Sequence, residues 1–357
     1  MSENENSQGN VAGRLSAATS TPLPTWLRVL RAILMTVVWV VLGLFVLWAT
    51  FALYFDLRIE TWRLPFAFVF LSGMIAILVR LRGSRWAATL CLLSCFCVMT
   101  WWLTLKPTNS GAWQQNVDRT AWVQMDGDRV TIHNLRNCDY HTETDYSNCW
   151  SDRTIYLSQL KAADLFLTNW GLSFASHPIV SFQFGENDHI AFSIEARYRP
   201  GQDYSTIHGL YRQFGLIFIV ADERDLIRLR TNYRKDEEVY LYRLKFDPET
   251  TRAMFLTYVN YLNRLNDHPE WYNELTRNCT TTLQKPLAAA TGNAQGWTYQ
   301  FILNGSLDAL LYDRGRLVTG GLPFPALKQR EHINSVAHTI NGSPDFSALI
   351  RAGRVGF

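Results

Sequence analysis

Cys279 is the residue in this chain best suited to act as a nucleophile. It lies in WYNELTRNCTTTL, residues 271–283, and is the only cysteine after Cys149. Asn278 before it is a natural helix cap and threonines follow it, so the pattern predicts a short helix starting at the sulfur. A helix N-terminus offers unbonded N–H groups and the positive end of the dipole. Both favour thiolate over thiol, and the thiolate is the nucleophile. The chemistry suggested is covalent catalysis through a thioester, with backbone N–H groups around Asn278 and Thr280 supporting the oxyanion. The same residues also fit a plainer arrangement, in which Cys279 is a small buried apolar side chain.

A cysteine nucleophile needs a base, usually histidine, and a third polar group to orient it. Of the eight histidines, His133, His141, His208, His268, His332 and His338 lie in polar or turn contexts. His177 and His189 frame an alternating hairpin, IVSFQFGENDHIAFSIEARY, residues 179–198. His177 enters the first strand, where a side chain is held more rigidly than on a loop. His189 sits at the hairpin tip, a place for a solvated turn residue. His177 is therefore the preferred base and His189 the reserve. Glu195 and Arg197 stand across the hairpin, with the register open by a residue or two. Glu195 is the candidate to fix the imidazole tautomer; an ion pair with Arg197 or Arg199 is the other use of its charge. Arg197, Arg212, Arg224, Arg228 and Arg230 could meet a phosphate or headgroup, or be solvated or paired with Glu195, Glu223 and Asp225.

The elements that must position these residues follow from patterning. Residues 1–24 are rich in Ser, Asn, Gly and Pro, and read as a disordered cytoplasmic tail. Residues 25–106 read as three helices, about 28–55, 64–81 and 86–105, around the uncharged apolar runs 32–55, 64–79 and 86–105, long enough to cross a bilayer. Arg14, Arg28 and Arg31 precede the first run, and Arg80, Arg82 and Arg85 lie between the second and third. By the positive-inside rule the N-terminus is cytoplasmic and the chain beyond Lys106 is outside, periplasmic in a bacterium with two membranes. The partner implied is the inner-membrane bilayer. Residues 112–357 are globular. Val130–Leu135, Thr154–Leu160, Leu216–Val220 and Glu238–Phe246 read as strands. Ala163–Trp170 is ambiguous, and Tyr204–Phe214 has helical spacing. DERDLIRLR suits a helical turn. Asp247-Pro248-Glu249 starts a helix that buries Phe255, Tyr258, Val259, Leu262 and Leu265. Cys138 and Cys149 flank a polar loop and are a plausible disulfide in an oxidising compartment.

Net charge is +3, which gives no reason to expect nucleic acid. No Walker, dinucleotide-glycine, GxSxG, HExxH or CxxC pattern occurs, so neither a metal nor a cofactor is expected.

HPIVSF (177–182), SIEARYRPGQDYS (193–205), DERDLIRLRTNYR (222–234) and WYNELTRNCTT (271–281) resemble the Lnb N-terminal periplasmic domain. The similarity runs from roughly Ala121 to Leu287. That family in turn resembles circularly permuted NlpC-type papain-like thiol enzymes, in which the histidine strand precedes the cysteine helix. The resemblance implies an α+β, permuted papain-like domain with a central antiparallel sheet and packed helices; in this chain it follows the three-helix transmembrane region read from hydropathy. It implies His177 as the motif histidine and Cys279 as the motif cysteine. The family usually has a small or hydroxyl residue after the histidine, where this chain has Pro178. Lnb itself N-acylates lipoproteins, so the activity implied is cysteine-dependent acyl transfer or hydrolysis on phospholipid or lipoprotein acyl groups. A cell-wall peptidase or amidase, and a non-catalytic membrane-tethered binding module, are the alternatives.

Overall fold

The computed structural model describes residues 24–82, 84–147, 149–171, 175–279, 281–282 and 304–357. The predicted tail lies almost wholly outside these residues, as does Thr280. The chain divides into two units, Met1–Tyr54 with Ile59–Thr100, and Phe55–Arg58 with Trp101–Phe357.

Three helices, α1 (Thr25–Asp56), α2 (Glu60–Arg80) and α3 (Arg85–Thr104), are long and apolar enough to cross a membrane. Their outward side chains are apolar: Val41, Leu44, Val69 and Phe96 are all exposed. Water does not favour such a surface, whereas hydrocarbon does.

The second unit is built on a mixed sheet of eight strands among the described residues. The strands are β1 (Trp122–Asp126), β2 (Arg129–Arg136), β3 (Trp150–Tyr156), β4 (Leu160–Asn169), β5 (Ser176–Phe184), β6 (Asp188–Arg197), β7 (Gly215–Asp222) and β8 (Glu238–Arg243). Their order is β1-β2-β7-β6-β5-β4-β8, with β3 on β2. An all-antiparallel sheet was expected. The correction is that β2 meets β7 in parallel, at Arg136↔Ala221. The long route from β2 out through β4–β6 makes that crossover possible.

Both faces of the sheet are covered, which is why IVSFQF carries apolar residues at odd and even positions alike. On one face Phe182 and Phe192 meet Phe255 and Tyr258 of α6 (Pro248–Asp267) in edge-on contacts with centroids 5.2 to 6.1 Å apart. Asp247 caps that helix by accepting from the Thr250 N–H at 2.7 Å, and Pro248 opens it. On the other face Phe166, Ile179, Ala191 and Ile219 pack with Leu226 and Ile227 of α5 (Glu223–Arg228), and with Ile333, Phe346 and Ile350 from the C-terminal segment.

Several boundaries depart from expectation. Strand β3 ends at Tyr156, and Leu157–Gln159 form a 3-10 turn rather than more strand. Ala163–Trp170 resolves as β4, buried on both faces. Tyr204–Phe214 holds only a four-residue helix, α4 (Thr206–Gly209). Strand β8 stops at Arg243, short of Phe246. Pro178 lies in the β4–β5 ladder opposite Leu167, while pairing with β6 begins only at Ile179↔Ser193. Its missing N–H thus falls where the ladder has one paired neighbour, a tolerable place for proline.

Candidate functional site

The β5–β6 hairpin sets the geometry of the site. Gly185 opens its turn at φ +60°, a conformation few other residues adopt. The register runs from Phe184↔Asp188 to Ile179↔Ser193. Continuing that pairing two residues further brings His177 opposite Glu195 on one face. His177 Nε2 lies 2.7 Å from Ser193 Oγ and 3.2 Å from Glu195 Oε1. Ser193 in turn donates to the same Glu195 oxygen at 2.6 Å. Arg230 Nη2 donates to it at 2.8 Å, and Arg230 Nη1 reaches Glu237 Oε2 at 3.2 Å. Arg230 rides on a π-helical turn, Leu229–Tyr233, that continues α5; such turns often mark functional positions.

His177 is only 6% exposed. Burial, the largest single influence, lowers its pKa and the Arg230 charge does the same, but the Glu195 carboxylate together with the charge and hydrogen bond of Cys279 outweighs both, and the imidazole is pushed up to about 9. Burial likewise works against ionised Glu195, yet His177 and Arg230 hold its carboxyl well below the usual range. The pair is therefore imidazolium and carboxylate at neutral pH.

Cys279 arrives from the other side. Segment 270–272 runs beside the start of β7: Leu216 N–H donates to Glu270 O, and Tyr272 N–H donates to Phe214 O. A tight turn follows, in which the Asn273 side chain accepts from Leu275 and Thr276 N–H groups at 3.1 and 3.0 Å. Asn278 then caps a helical turn that begins at Cys279. Its Oδ1 accepts from Thr281 N–H at 2.9 Å, and its own N–H donates back to Thr281 Oγ1 at 3.0 Å. This reciprocal capping box sets Cys279 at the first helical position. There the Cys279 side chain hydrogen-bonds His177. Tyr272 and Glu274 close the site on the same side, the Tyr272 hydroxyl donating to Glu274 Oε2 at 3.0 Å. Tyr204 also bonds Glu274.

The structure thus brings together Cys279, His177, Glu195 and Asn278. Ser193 and Arg230–Glu237 complete the arrangement. Ser193 shares the odd-numbered face of β6 with Glu195, a period-two signal in SIE that sequence reasoning passed over. The alternative use of Glu195, a pair with Arg197, does not form: Arg197 donates to the Val117 and Asp118 carbonyls at 2.7 Å each. Arg228 pairs with Asp139. His189 corrects a second expectation, being 4% exposed rather than solvated. The strand begins at Asp188, which turns His189 inward, and its electrostatic neighbours are Glu223, Arg351 and Asp164. That cluster holds Arg351 to Asp164 at 2.8 Å and to Glu223 at 2.6 Å. Cys138 and Cys149 are joined in a disulfide. Cys138 N–H donates to Asp225, whose carboxylate also pairs with buried Arg136 at 2.7 Å, so the loop is tied to α5. Among the described residues no group of His, Cys, Asp and Glu could hold a metal ion.

An imidazolium held by a carboxylate and touching a thiol at a helix start is an arrangement that can pass a proton to and from sulfur. Residues 146–305 match the family described as the Lnb N-terminal periplasmic domain. No curated protein and no solved structure matches the chain.

Proposed function

We propose that the chain is a membrane-anchored, cysteine-dependent acyltransferase or hydrolase, a reading supported by the match of residues 146–305 to the Lnb N-terminal periplasmic domain family. The observation that carries the reading is the hydrogen bond between the Cys279 and His177 side chains, with Glu195 fixing the far side of the ring. The Cys279 thiolate attacks an ester carbonyl, and a C–S bond forms. Backbone N–H groups of the helical turn hold the oxyanion. As the C–O bond breaks, His177 gives its proton to the departing alkoxide. An amine or water then attacks the thioester, His177 takes the proton, and the thiolate is regenerated. Nε2 faces Ser193 and Glu195, which leaves Nδ1 as the nitrogen that trades a proton with sulfur.

A histidine strand followed by a cysteine helix is the order of permuted papain-like thiol enzymes, and it supports that fold as the framework of the site. Three apolar helices favour a lipid ester as acyl donor, because an anchor keeps the site at high effective concentration over headgroups. Cys279→Ala and His177→Ala should each abolish turnover of phospholipid and leave thermal unfolding of the domain within a few degrees. His177→Ala should also slow alkylation of Cys279 by iodoacetamide at pH 7. Near-normal turnover in His177→Ala would remove the base, and undiminished alkylation would favour an inert structural thiol.

A further inference from the structure

Large side chains stand exposed on the segments beside Cys279. Ile207 on α4 is 57% exposed and Leu275, in the turn before the cysteine, is 56% exposed. Tyr204 is 53% exposed and keeps its bond to Glu274. The segments that carry them are joined. Glu274 N–H donates to Gly209 O at 2.9 Å, and the Asn273 side chain donates to Leu210 O at 3.3 Å, so the cysteine turn and α4 are stitched together. Gly209 permits this approach: a Cβ there would lie 3.1 Å from Glu274 Oε2.

The same stretch of the second unit contains the points where the chain leaves α1 and α3. The Phe55 ring stands 4.9 Å from His208 and 5.1 Å from Tyr211. Asp56 accepts from the Arg212 N–H at 3.1 Å, from Gln213 at 2.6 Å and from the Trp102 indole at 2.6 Å. Arg212 lies 4.0 Å over the Trp102 ring. Trp271 donates to Leu105 O at 3.2 Å. The ends of two bilayer-length helices are thus built into the residues that carry α4 and the cysteine turn. Tryptophan and arginine at such ends are what the headgroup layer accommodates.

We propose that Tyr204, Ile207 and Leu275 form an interfacial rim that dips into the bilayer surface beside Cys279, so that a lipid ester reaches the sulfur from the membrane without crossing water. A surface of this kind exposed to water has no stabilising partner, while the same surface in the headgroup and upper acyl region is buried. The proposal deepens the reading of Cys279 as a lipid-directed nucleophile, but contact with lipid needs no turnover, so the two can fail separately.

The test uses the full-length protein in vesicles of phosphatidylethanolamine and phosphatidylglycerol. Benzoylphenylalanine replaces Ile207, Leu275, Met125 on the exposed edge of β1, or Leu44 inside α1, and irradiated protein is weighed for phospholipid adducts. Adduct at 207 and 275 should exceed that at 125 by roughly tenfold and approach that at 44; equal yields at 207, 275 and 125 overturn the proposal. The same pattern is expected in a Cys279→Ser background. Ile207→Asp combined with Leu275→Asp should raise the lipid concentration for half-maximal turnover by about tenfold, with iodoacetamide alkylation of Cys279 unchanged. An unchanged lipid dependence also overturns the rim.

Discussion

His177 is buried, and burial alone favours a neutral imidazole. The charge on Glu195, 3.2 Å from Nε2, and the contact with Cys279 together reverse that preference and hold the proton until pH rises through about 9. The sign of the pH dependence follows. Below about 9 the imidazolium is present and can protonate a leaving group; above it the acid is lost, so kcat/KM should fall on the alkaline side. Glu195→Gln removes the largest charge that raises His177, while burial and Arg230 remain to lower it. The alkaline limb should then move down by at least ~1 pH unit, read from a full pH profile. A limb that stays in place would mean Glu195 does not set the proton affinity of His177. Ser193 is a positioning residue in the same chain of contacts. Its hydroxyl sits between the ring and the carboxylate, so Ser193→Ala should cost less than Glu195→Gln and leave the limb nearly where it was.

At the scale of elements, the sulfur is presented by a cap. The Asn278 Oδ1 and N–H both engage Thr281, and its Nδ2 donates to Glu274 O at 2.6 Å. Asn278→Ala should therefore cost about 1 kcal/mol of local stability and slow Cys279 alkylation, with Asn278→Asp restoring the cap on Thr281 but not the bond to Glu274 O, and so only part of both; equal alkylation in all three proteins would show that the cap does not hold the thiol. The hairpin and α6 were legible because their signals are local: two-residue alternation around Gly185, and Asp-Pro-Glu before an apolar stripe. The pairing of His177 with Glu195 was legible only to within the register, since a turn's exact length decides which residue faces which. His189 was misread because GENDH looks like five turn residues, whereas the strand takes up at Asp188 and the pleat turns the histidine inward. The mixed sheet was illegible, because a single parallel contact between β2 and β7 depends on strands distant in sequence.

Over the whole molecule, the segment past the matched family region is part of the framework. Asn334 accepts from Val239 N–H at 2.8 Å and donates to Glu237 O at 2.7 Å, which secures the residue that braces Arg230. Arg351 closes the other end of the same sheet face between Asp164 and Glu223. Both carboxylates are fully buried, so Arg351→Leu should destabilise the domain by about 3–5 kcal/mol in chemical denaturation; a loss under about 1 kcal/mol would mean the cluster is not an ion-paired lock. The short helices that carry this segment, Asn334–Thr339 and Phe346–Leu349, span too few residues to show an apolar period, so sequence patterning could not place them. We propose from the positive-inside pattern that the domain lies outside the cytoplasm: alkaline phosphatase fused after Phe357 should then be active, and an inactive fusion would invert the topology. The most direct test of the central claim is the mass of the protein trapped during turnover. Full-length protein incubated with phospholipid and quenched in acid should gain one fatty acyl mass on Cys279, labile to hydroxylamine and missing in Cys279→Ala. An adduct that persists in Cys279→Ala, a muropeptide mass in its place when wall fragments are supplied, or no adduct at all would contradict acyl transfer from lipid through this sulfur.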